Sequence, residues 1–549
     1  MEKLKKSKKF SGRKGPVVLV IMDGIGLNPN TVGNAVAVAR TPTLDWLMEK
    51  YPHTQLKAHG IAVGLPSDND MGNSEVGHNA MGAGRVFHQG ARLVNEAIET
   101  GALWKGDVWR KLIQNCRTRG GMLHFMGLFS DGNVHSHIDH LKAMILRAKE
   151  EGLKRIRIHI LLDGRDVGET SALDYVIPFE AFLSDLNQSG MDAAIASGGG
   201  RMLVTMDRYE ADWDIVKRGW EAHVLGKAEM FPSAETAIQT FRERDASVTD
   251  QFLPAFVIGK EGKPVGSIRD GDSVILFNFR GDRAIEISRA FEEEDFSKFD
   301  RGARPRVEYA GMMEYDGDLK IPKQYLVSPP AIERTMGELL SNTGVKQLAI
   351  SETQKYGHVT YFFNGNWSGK FNEATETYIE IPSDRVPFEQ RPWMKSAEIT
   401  DRVIDEMRTG TYRFLRLNYA NGDMVGHTGV FESAVMAVEA VDLGLGRLLK
   451  AVDKIQGIVL ITADHGNSDE MFEVDASGNP KLGNNGKPKP KTSHTLNPVP
   501  FIIFDPCFGG EYCLTKIEKP GLSNIAATTI QLLGFEPPED YDVSLIEFG

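Results

Sequence analysis

The chain has 549 residues, too many for one hydrophobic core, since single cores stop growing near roughly 250–300 residues. Its 41% hydrophobic and 25% charged residues are ordinary for a soluble globular protein, and a formal charge of −12 argues against a nucleic-acid partner. No apolar run approaches the roughly 20 residues that span a bilayer, so no membrane partner is expected. Three cysteines (Cys116, Cys507, Cys513) make no disulfide framework and have no zinc-finger spacing, which points to a reducing, cytoplasmic compartment.

In chain order, the basic start (Lys3, Lys5, Lys6, Lys8, Lys9) has no apolar segment after it. It reads as a solvated tail, with a nuclear address as the alternative, and not as a secretory signal. Val17 to Met22 is a continuous apolar run that ends at Asp23-Gly24. Two later runs share this layout: Phe414 to Tyr419 ends near Asn421-Gly422-Asp423, and Ile458 to Ile461 ends at Thr462-Ala463-Asp464-His465-Gly466. Such runs predict buried parallel strands, whose carboxyl ends carry the ligand sites of α/β sheets. The bland alternative for each is turn chemistry, since Asp-Gly after a strand is common.

Between these runs lies a second set. Arg155 to Leu162 ends at Asp163-Gly164-Arg165-Asp166, and Val274 to Phe277 ends at Asn278-Phe279-Arg280-Gly281-Asp282-Arg283. Helices are predicted over 138–149 and 173–186. Arginines replace metal-type ligands here, which suggests a second α/β domain. The expected fold is therefore α/β with two domains: residues 1–88 and 330–549 fold together as a metal-binding sheet domain, and residues 89–329 are inserted into it. Residues 313–330, with Pro322, Pro329 and Pro330, read as the return linker, and 478–491 as a mobile loop.

Asp423 and His427 are four apart and can share one face of a helical turn. With Asp23, Asp464, His465 and His494 they offer carboxylate and imidazole donors and no thiolate. That set suits two divalent ions, Mn, Co or Zn more comfortably than Mg. Capping and hydrogen bonding are the alternative for any one of them. Ser74 sits in the polar, Gly-rich stretch Asp68 to His78, where a helix could begin. Its neighbourhood allows two roles, an N-cap or a nucleophile that needs activation.

The segment Gly72-Asn73-Ser74-Glu75-Val76-Gly77-His78 closely resembles the nucleophile motif of the cofactor-independent phosphoglycerate mutases, of the alkaline-phosphatase superfamily. Matching motifs run from Asp23-Gly24 through Ser130-Asp131-Gly132-Asn133-Val134-His135, Asp163-Gly164-Arg165-Asp166, Asn278 to Arg283, and Ser351-Glu352-Thr353-Gln354-Lys355-Tyr356 to Asp423-Met424-Val425-Gly426-His427 and Asp464-His465-Gly466-Asn467. The resemblance implies an alkaline-phosphatase-like sheet domain. It implies that Asp423, His427 and His494 hold one divalent metal (Mn, Co, Mg or Zn), and that Asp23, Ser74, Asp464 and His465 hold another. Ser74 would become a phosphoserine, and Asp166 would be base and acid for the substrate hydroxyls. His135, Arg165, Arg201, Arg208, Arg280 and Arg283 would bind the phosphoglycerate, and Lys355 would meet the phosphoryl group. Gly200 to Arg208 departs from the family's Gly-Arg-Tyr-Tyr pattern.

The implied activity is interconversion of 3- and 2-phosphoglycerate, with no 2,3-bisphosphoglycerate, by a monomer whose inserted domain keeps water away. The alternatives are a metal-dependent phosphatase or phosphopentomutase-like enzyme of the superfamily, and a non-catalytic phosphosugar- or metal-binding protein. His137, His140 and His78 are read as supporting groups. His124, His159, His358, Trp46, Trp213 and Trp220 are read as packing.

Overall fold

The computed structural model describes residues 2–65, 68–88, 90–207, 212–316, 320–328, 330, 332–475, 479–483 and 486–549. The chain divides into two compact units, Met1–Gln89 with Pro330–Gly549, and Gly90–Pro329. Each unit is built on its own α/β sheet.

In the first unit, the main sheet among the described residues has the order Glu376–Ile381, Gln347–Glu352, Phe414–Tyr419, Val17–Met22, Ile458–Thr462, Val499–Phe504, His53–Leu56. The first five strands are parallel and the last two pair antiparallel. Val17–Met22, VVLVIM, is buried at every position, as a strand covered on both faces must be. It lies between Phe414–Tyr419 and Ile458–Thr462. The three apolar runs are thus adjacent and point the same way, so Asp23, Asp423 and Asp464 leave the sheet at one edge. Gly24 makes the close approach possible. Its φ is +74°, and a Cβ there would lie 2.5 Å from the Asp423 backbone nitrogen.

The basic N-terminus is docked, contrary to the expectation of a solvated tail. Lys5–Lys6 pairs antiparallel with Phe535–Glu536, and the Leu4 N–H donates to Thr343 Oγ1 at 2.9 Å. The lysine side chains stay outside, so the charge pattern was visible but its backbone partner, some 530 residues away, was not. Within 478–491 the described residues are bridged: Val474 pairs with Pro480 and Leu482 with Pro488.

In the second unit, the order is Glu308–Gly311, Ser273–Leu276, Leu123–Leu128, Arg155–Leu162, Asp192–Gly200, Phe256–Lys260, Glu229–Phe231. The first five strands are parallel, and Asp192–Gly200 pairs antiparallel with Phe256–Lys260. The predicted helices appear as Ile138–Glu150 and Ala172–Gln188, each burying an apolar stripe against the sheet core. Four neighbouring strand ends carry Asn278–Arg283, Ser130–His135, Asp163–Asp166 and Arg201. Among the described residues no helix is long and apolar enough to cross a membrane.

Candidate metal centre and active site

Ser74 is the first residue of the helix Ser74–Ala83, and it is not the cap. Asn73 caps the helix, its Oδ1 accepting the Val76 N–H at 3.1 Å. The bland role open to Ser74 is therefore taken by its neighbour, and its hydroxyl is turned elsewhere. The helix packs against the Asp464 loop; a Cβ on Gly77 would lie 2.9 Å from the Asp464 carbonyl oxygen.

Lys355 Nζ donates to Ser74 Oγ at 2.5 Å, to Asp423 Oδ2 at 2.7 Å and to Asp23 Oδ1 at 3.0 Å. Ser74 Oγ is 3.0 Å from His465 Nε2 and 3.3 Å from Asp23 Oδ1. All of these side chains are buried. Burial lowers the Lys355 pKa, but the carboxylates of Asp23, Asp423 and Asp464 outweigh it and keep the ammonium charged. Asp423 is pushed up by burial, yet Lys355 and then His427 hold it well below the usual carboxylate range. Asp23 goes the other way: burial, then the Asp464 carboxylate, push it up to about 7. Asp464 is also raised, chiefly by burial. Three buried carboxylates against one ammonium form a cluster short of positive charge.

The histidines sharpen that deficit. His427 Nδ1 donates to the Thr492 carbonyl at 2.6 Å, and His494 Nδ1 to the Gly72 carbonyl at 2.8 Å. Carbonyls only accept, so both rings donate from Nδ1 and turn Nε2 inward. Those Nε2 atoms are 3.1 Å apart, and 3.1 and 3.2 Å from Asp423 Oδ1. Two ring nitrogens and a carboxylate oxygen that converge so closely need a cation or a proton between them. Ligating histidines are fixed by just such a hydrogen bond on the far nitrogen. His465 Nδ1 likewise faces the Gly466 carbonyl at 3.2 Å, which turns its Nε2 toward Ser74. Asp464 Oδ2 has no hydrogen-bond partner among the described residues.

The donor set therefore fits metal ions. Two candidate groups stand out, Asp423 with His465 and His494, and Asp23 with Asp464 and His465. His465 faces both, whereas the family resemblance assigns it to one.

In the second unit, Asp163 is a hub that the sequence reading left without a role. Its Oδ1 accepts Arg201 Nη1 at 2.7 Å and the N–H groups of Arg165 and Asp166 at 3.2 and 3.0 Å; its Oδ2 accepts Ser130 Oγ at 2.6 Å. Arg201 is almost fully buried and also pairs with Asp166. Its Nη1 thus holds two carboxylates in place, a different use from gripping an anion with that nitrogen. His135 Nδ1 is 3.5 Å from Asp282 Oδ1, and Arg280 Nε is 3.3 Å from the same oxygen. Burial, then the Arg201 charge, hold His135 well below its usual value, so the ring is neutral. Arg283 Nη1 donates to the Met206 carbonyl at 2.6 Å. His135, Arg165, Asp166, Arg201, Arg280 and Arg283 thus share one edge of the sheet. Arg208 lies outside the described residues.

Other groups have local duties. His137 caps its helix by accepting the Asp139 N–H, and His140 Nε2 meets Asn95 Oδ1 at 2.6 Å. His78 donates Nδ1 to the Ser74 carbonyl at 2.8 Å, and burial holds it near 4, neutral. Asn418, not singled out from sequence, donates Nδ2 to Asp23 Oδ2 at 2.7 Å. A lone amide in the apolar run Phe414–Tyr419 was the available signal.

Glu352 ends the strand that leads to Lys355. Burial pushes its carboxyl from 4.5 up to about 7, against hydrogen bonds from Ser383 and the Lys395 N–H. Between those values the folded state binds more protons than the unfolded chain, so this contribution favours folding at acid pH and is lost as pH rises through 7. Glu352→Gln is expected to gain about 3 kcal/mol relative to wild type on going from pH 5 to pH 8, at about 1.4 kcal/mol per unit. Urea denaturation of both proteins at the two pH values checks this, and a pH-independent difference would refute it.

The family model of the metalloenzyme superfamily matches residues 15–537. A protein of Leptospira interrogans described as a probable 2,3-bisphosphoglycerate-independent phosphoglycerate mutase is 54% identical over 99% of this chain and 100% of its own length. The 2,3-bisphosphoglycerate-independent phosphoglycerate mutase of Trypanosoma brucei brucei is 53% identical over 97% of each chain. Among solved structures, Leishmania mexicana phosphoglycerate mutase, crystallised at low cobalt concentration, superposes with a TM-score of 0.90 at 51% identity over the full length of both chains.

Proposed function

The chain belongs to the metalloenzyme superfamily and, within it, to the 2,3-bisphosphoglycerate-independent phosphoglycerate mutases, and on that premise we propose how its residues interconvert 3-phosphoglycerate and 2-phosphoglycerate. One observation carries the reading: a serine hydroxyl at a helix start, touched by a buried ammonium, within a cluster of carboxylates and inward-facing imidazoles short of positive charge. Asp423, His427 and His494 would hold one divalent ion, and Asp23, Ser74, Asp464 and His465 the other. When bound, such ions supply positive charge against the phosphoryl oxygens and favour the alkoxide form of Ser74. Mn, Co or Zn suit this mixed donor set, Mg less well.

Ser74 Oγ, as alkoxide, attacks phosphorus, and the bond from phosphorus to the glycerate oxygen breaks. Asp166 gives its proton to that departing oxygen. The other glycerate hydroxyl then gives its proton to Asp166 and attacks the phosphoserine, returning Ser74 to the alkoxide. Atoms and protons balance, and the phosphoryl group never leaves the enzyme–substrate pair, so no 2,3-bisphosphoglycerate is required. Lys355 holds its ammonium against Ser74 Oγ throughout. Asp163 orients the Arg165–Asp166 turn, and the arginines of the second unit bind the phosphoglycerate. The first unit acts as the metal-binding phosphatase-like domain and the second as the inserted substrate domain. The free thiols Cys116, Cys507 and Cys513 support a cytoplasmic setting. We take the working form to be a monomer.

Incubation of the metal-loaded protein with 3-phosphoglycerate, followed by phosphorus NMR, is expected to give 2-phosphoglycerate. Accumulation of free phosphate in its place would make the protein a phosphatase. Asp166→Asn is expected to lower isomerisation by about 10²–10⁴-fold with metal content unchanged. Near-normal turnover in that variant would remove Asp166 from the proton transfers.

A further inference from the structure

A row of buried polar side chains crosses the sheet of the second unit, apart from the groups given roles above. Asp272 Oδ2 is 3.2 Å from His124 Nε2, His124 Nδ1 is 3.0 Å from His159 Nε2, and His159 Nδ1 is 2.7 Å from Ser197 Oγ. Ser197 Oγ is 2.7 Å from His223 Nδ1, and His223 Nε2 is 3.1 Å from Thr205 Oγ1. All six residues are buried. Asp272 also accepts the N–H groups of Met122 at 2.7 Å and Arg269 at 2.8 Å, which favours its ionised form.

A carboxylate only accepts, so His124 Nε2 carries the proton that faces it. Each later partner is then fixed in turn. His159 donates from Nε2, Ser197 donates to His159, His223 donates from Nδ1, and Thr205 donates its hydroxyl to His223. Burial lowers all three histidines, in agreement with three neutral rings. The row has one polarity, set by Asp272, and it ends on the Thr205 hydroxyl.

Three local irregularities meet on this row. The register of Arg155–Leu162 against Asp192–Gly200 shifts between Ile158 and His159, which aligns His159 with Ser197. Bulges of this kind re-aim side chains. His223 sits in a π-helical turn, Trp220–Val224. Thr205 has φ +71°, the left-handed region, where a β-branched residue is strained. Its hydroxyl lies so close over Gly219 that a Cβ there would be 2.0 Å from Oγ1. Thr205 belongs to the loop between Arg201, which pairs with Asp163 and Asp166, and Met206, whose carbonyl accepts Arg283.

We propose that the row from Asp272 through His124, His159, Ser197 and His223 to Thr205 is a one-way hydrogen-bonded brace that fixes the loop 201–207 and so positions Arg201 and Arg283 for phosphoglycerate. The inference rests on the assignment of those arginines to substrate. Thr205, His223, Ser197, His159 and His124 are positioning residues, since none of them touches the reacting atoms.

Thr205→Val keeps the branching and removes the donor. It is expected to lower kcat/KM for 3-phosphoglycerate by roughly tenfold to a hundredfold through KM, as expected for a buried acceptor left unpaired. Thr205→Ser, which keeps the hydroxyl, is expected to stay within about twofold of wild type. A Thr205→Val enzyme with kcat/KM near wild type overturns the proposal, as do equal losses in both variants. Arg283→Ala, run alongside, separates the two layers: if it too keeps full kcat/KM, the arginine assignment fails and the brace with it. Nitrogen-15 NMR of the wild-type protein tests the row without any variant. At pH 8.5, His124 and His159 are expected protonated on Nε2 and His223 on Nδ1; any other pattern overturns it.

Discussion

Ser74→Ala is expected to abolish isomerisation, lowering kcat by at least about 10⁴-fold, or about 5.4 kcal/mol, while the protein stays folded and Asp23, Asp464 and His465 still hold the second ion with one donor fewer. The separation of activity from stability follows from the helix start. Asn73, not Ser74, satisfies the Val76 N–H, so loss of the Ser74 hydroxyl removes no cap. What it removes is the one hydroxyl that Lys355 Nζ touches at 2.5 Å and that lies 3.0 Å from His465 Nε2. Asn73→Ala is the converse case, expected to cost about 1 kcal/mol of stability through the lost cap. Steady-state kinetics, metal analysis and thermal denaturation of both variants provide the check. A Ser74→Ala enzyme that turns over at a wild-type rate would remove the phosphoserine from the mechanism.

The difference between these neighbours also marks how far the sequence could be read. Ser74 and Asn73 both have capping side chains, and only the backbone at the helix start decides which of them caps. Asp23, Asp423 and Asp464 were easier, because each follows a continuous apolar run that reads as a buried strand. Adjacent parallel strands bring such ends together whatever their separation in the chain. The order of the strands was not written in any one run. Asp163 lay inside a recognised motif, but its use depends on Arg201, 38 positions later, arriving at the same oxygen. His124 and His159 read as packing because their partners are set by pairing between strands and by a register shift, which hydrophobic periodicity does not encode. The docking of Lys5–Lys6 on Phe535–Glu536 was hidden for the same reason: a two-residue strand carries no periodicity at all.

Lys355→Met is expected to destabilise the metal-depleted protein by about 3–5 kcal/mol and the metal-loaded protein by much less. Lys355 Nζ is the ammonium set between Asp23 and Asp423, at 3.0 and 2.7 Å, with Asp464 close enough to raise its pKa further. Methionine fills much of the same space and leaves those carboxylates buried without that charge. Burial and mutual repulsion already push Asp23 up to about 7, and the substitution pushes it higher. A carboxyl raised in the folded state favours folding at acid pH and withdraws that support as pH rises, so the loss in the metal-depleted variant grows from pH 5 to pH 8. Divalent ions return positive charge to the same carboxylates, and the stability gap closes. Activity does not return with it, because no ammonium then faces Ser74 Oγ; kcat is expected to stay about 10²–10³-fold below wild type, the usual cost of one lost electrostatic donor. Thermal denaturation with and without chelator, at both pH values, reads the first effect, and steady-state kinetics the second. Equal destabilisation with and without metal would mean that Lys355 is held there by packing and not by its charge.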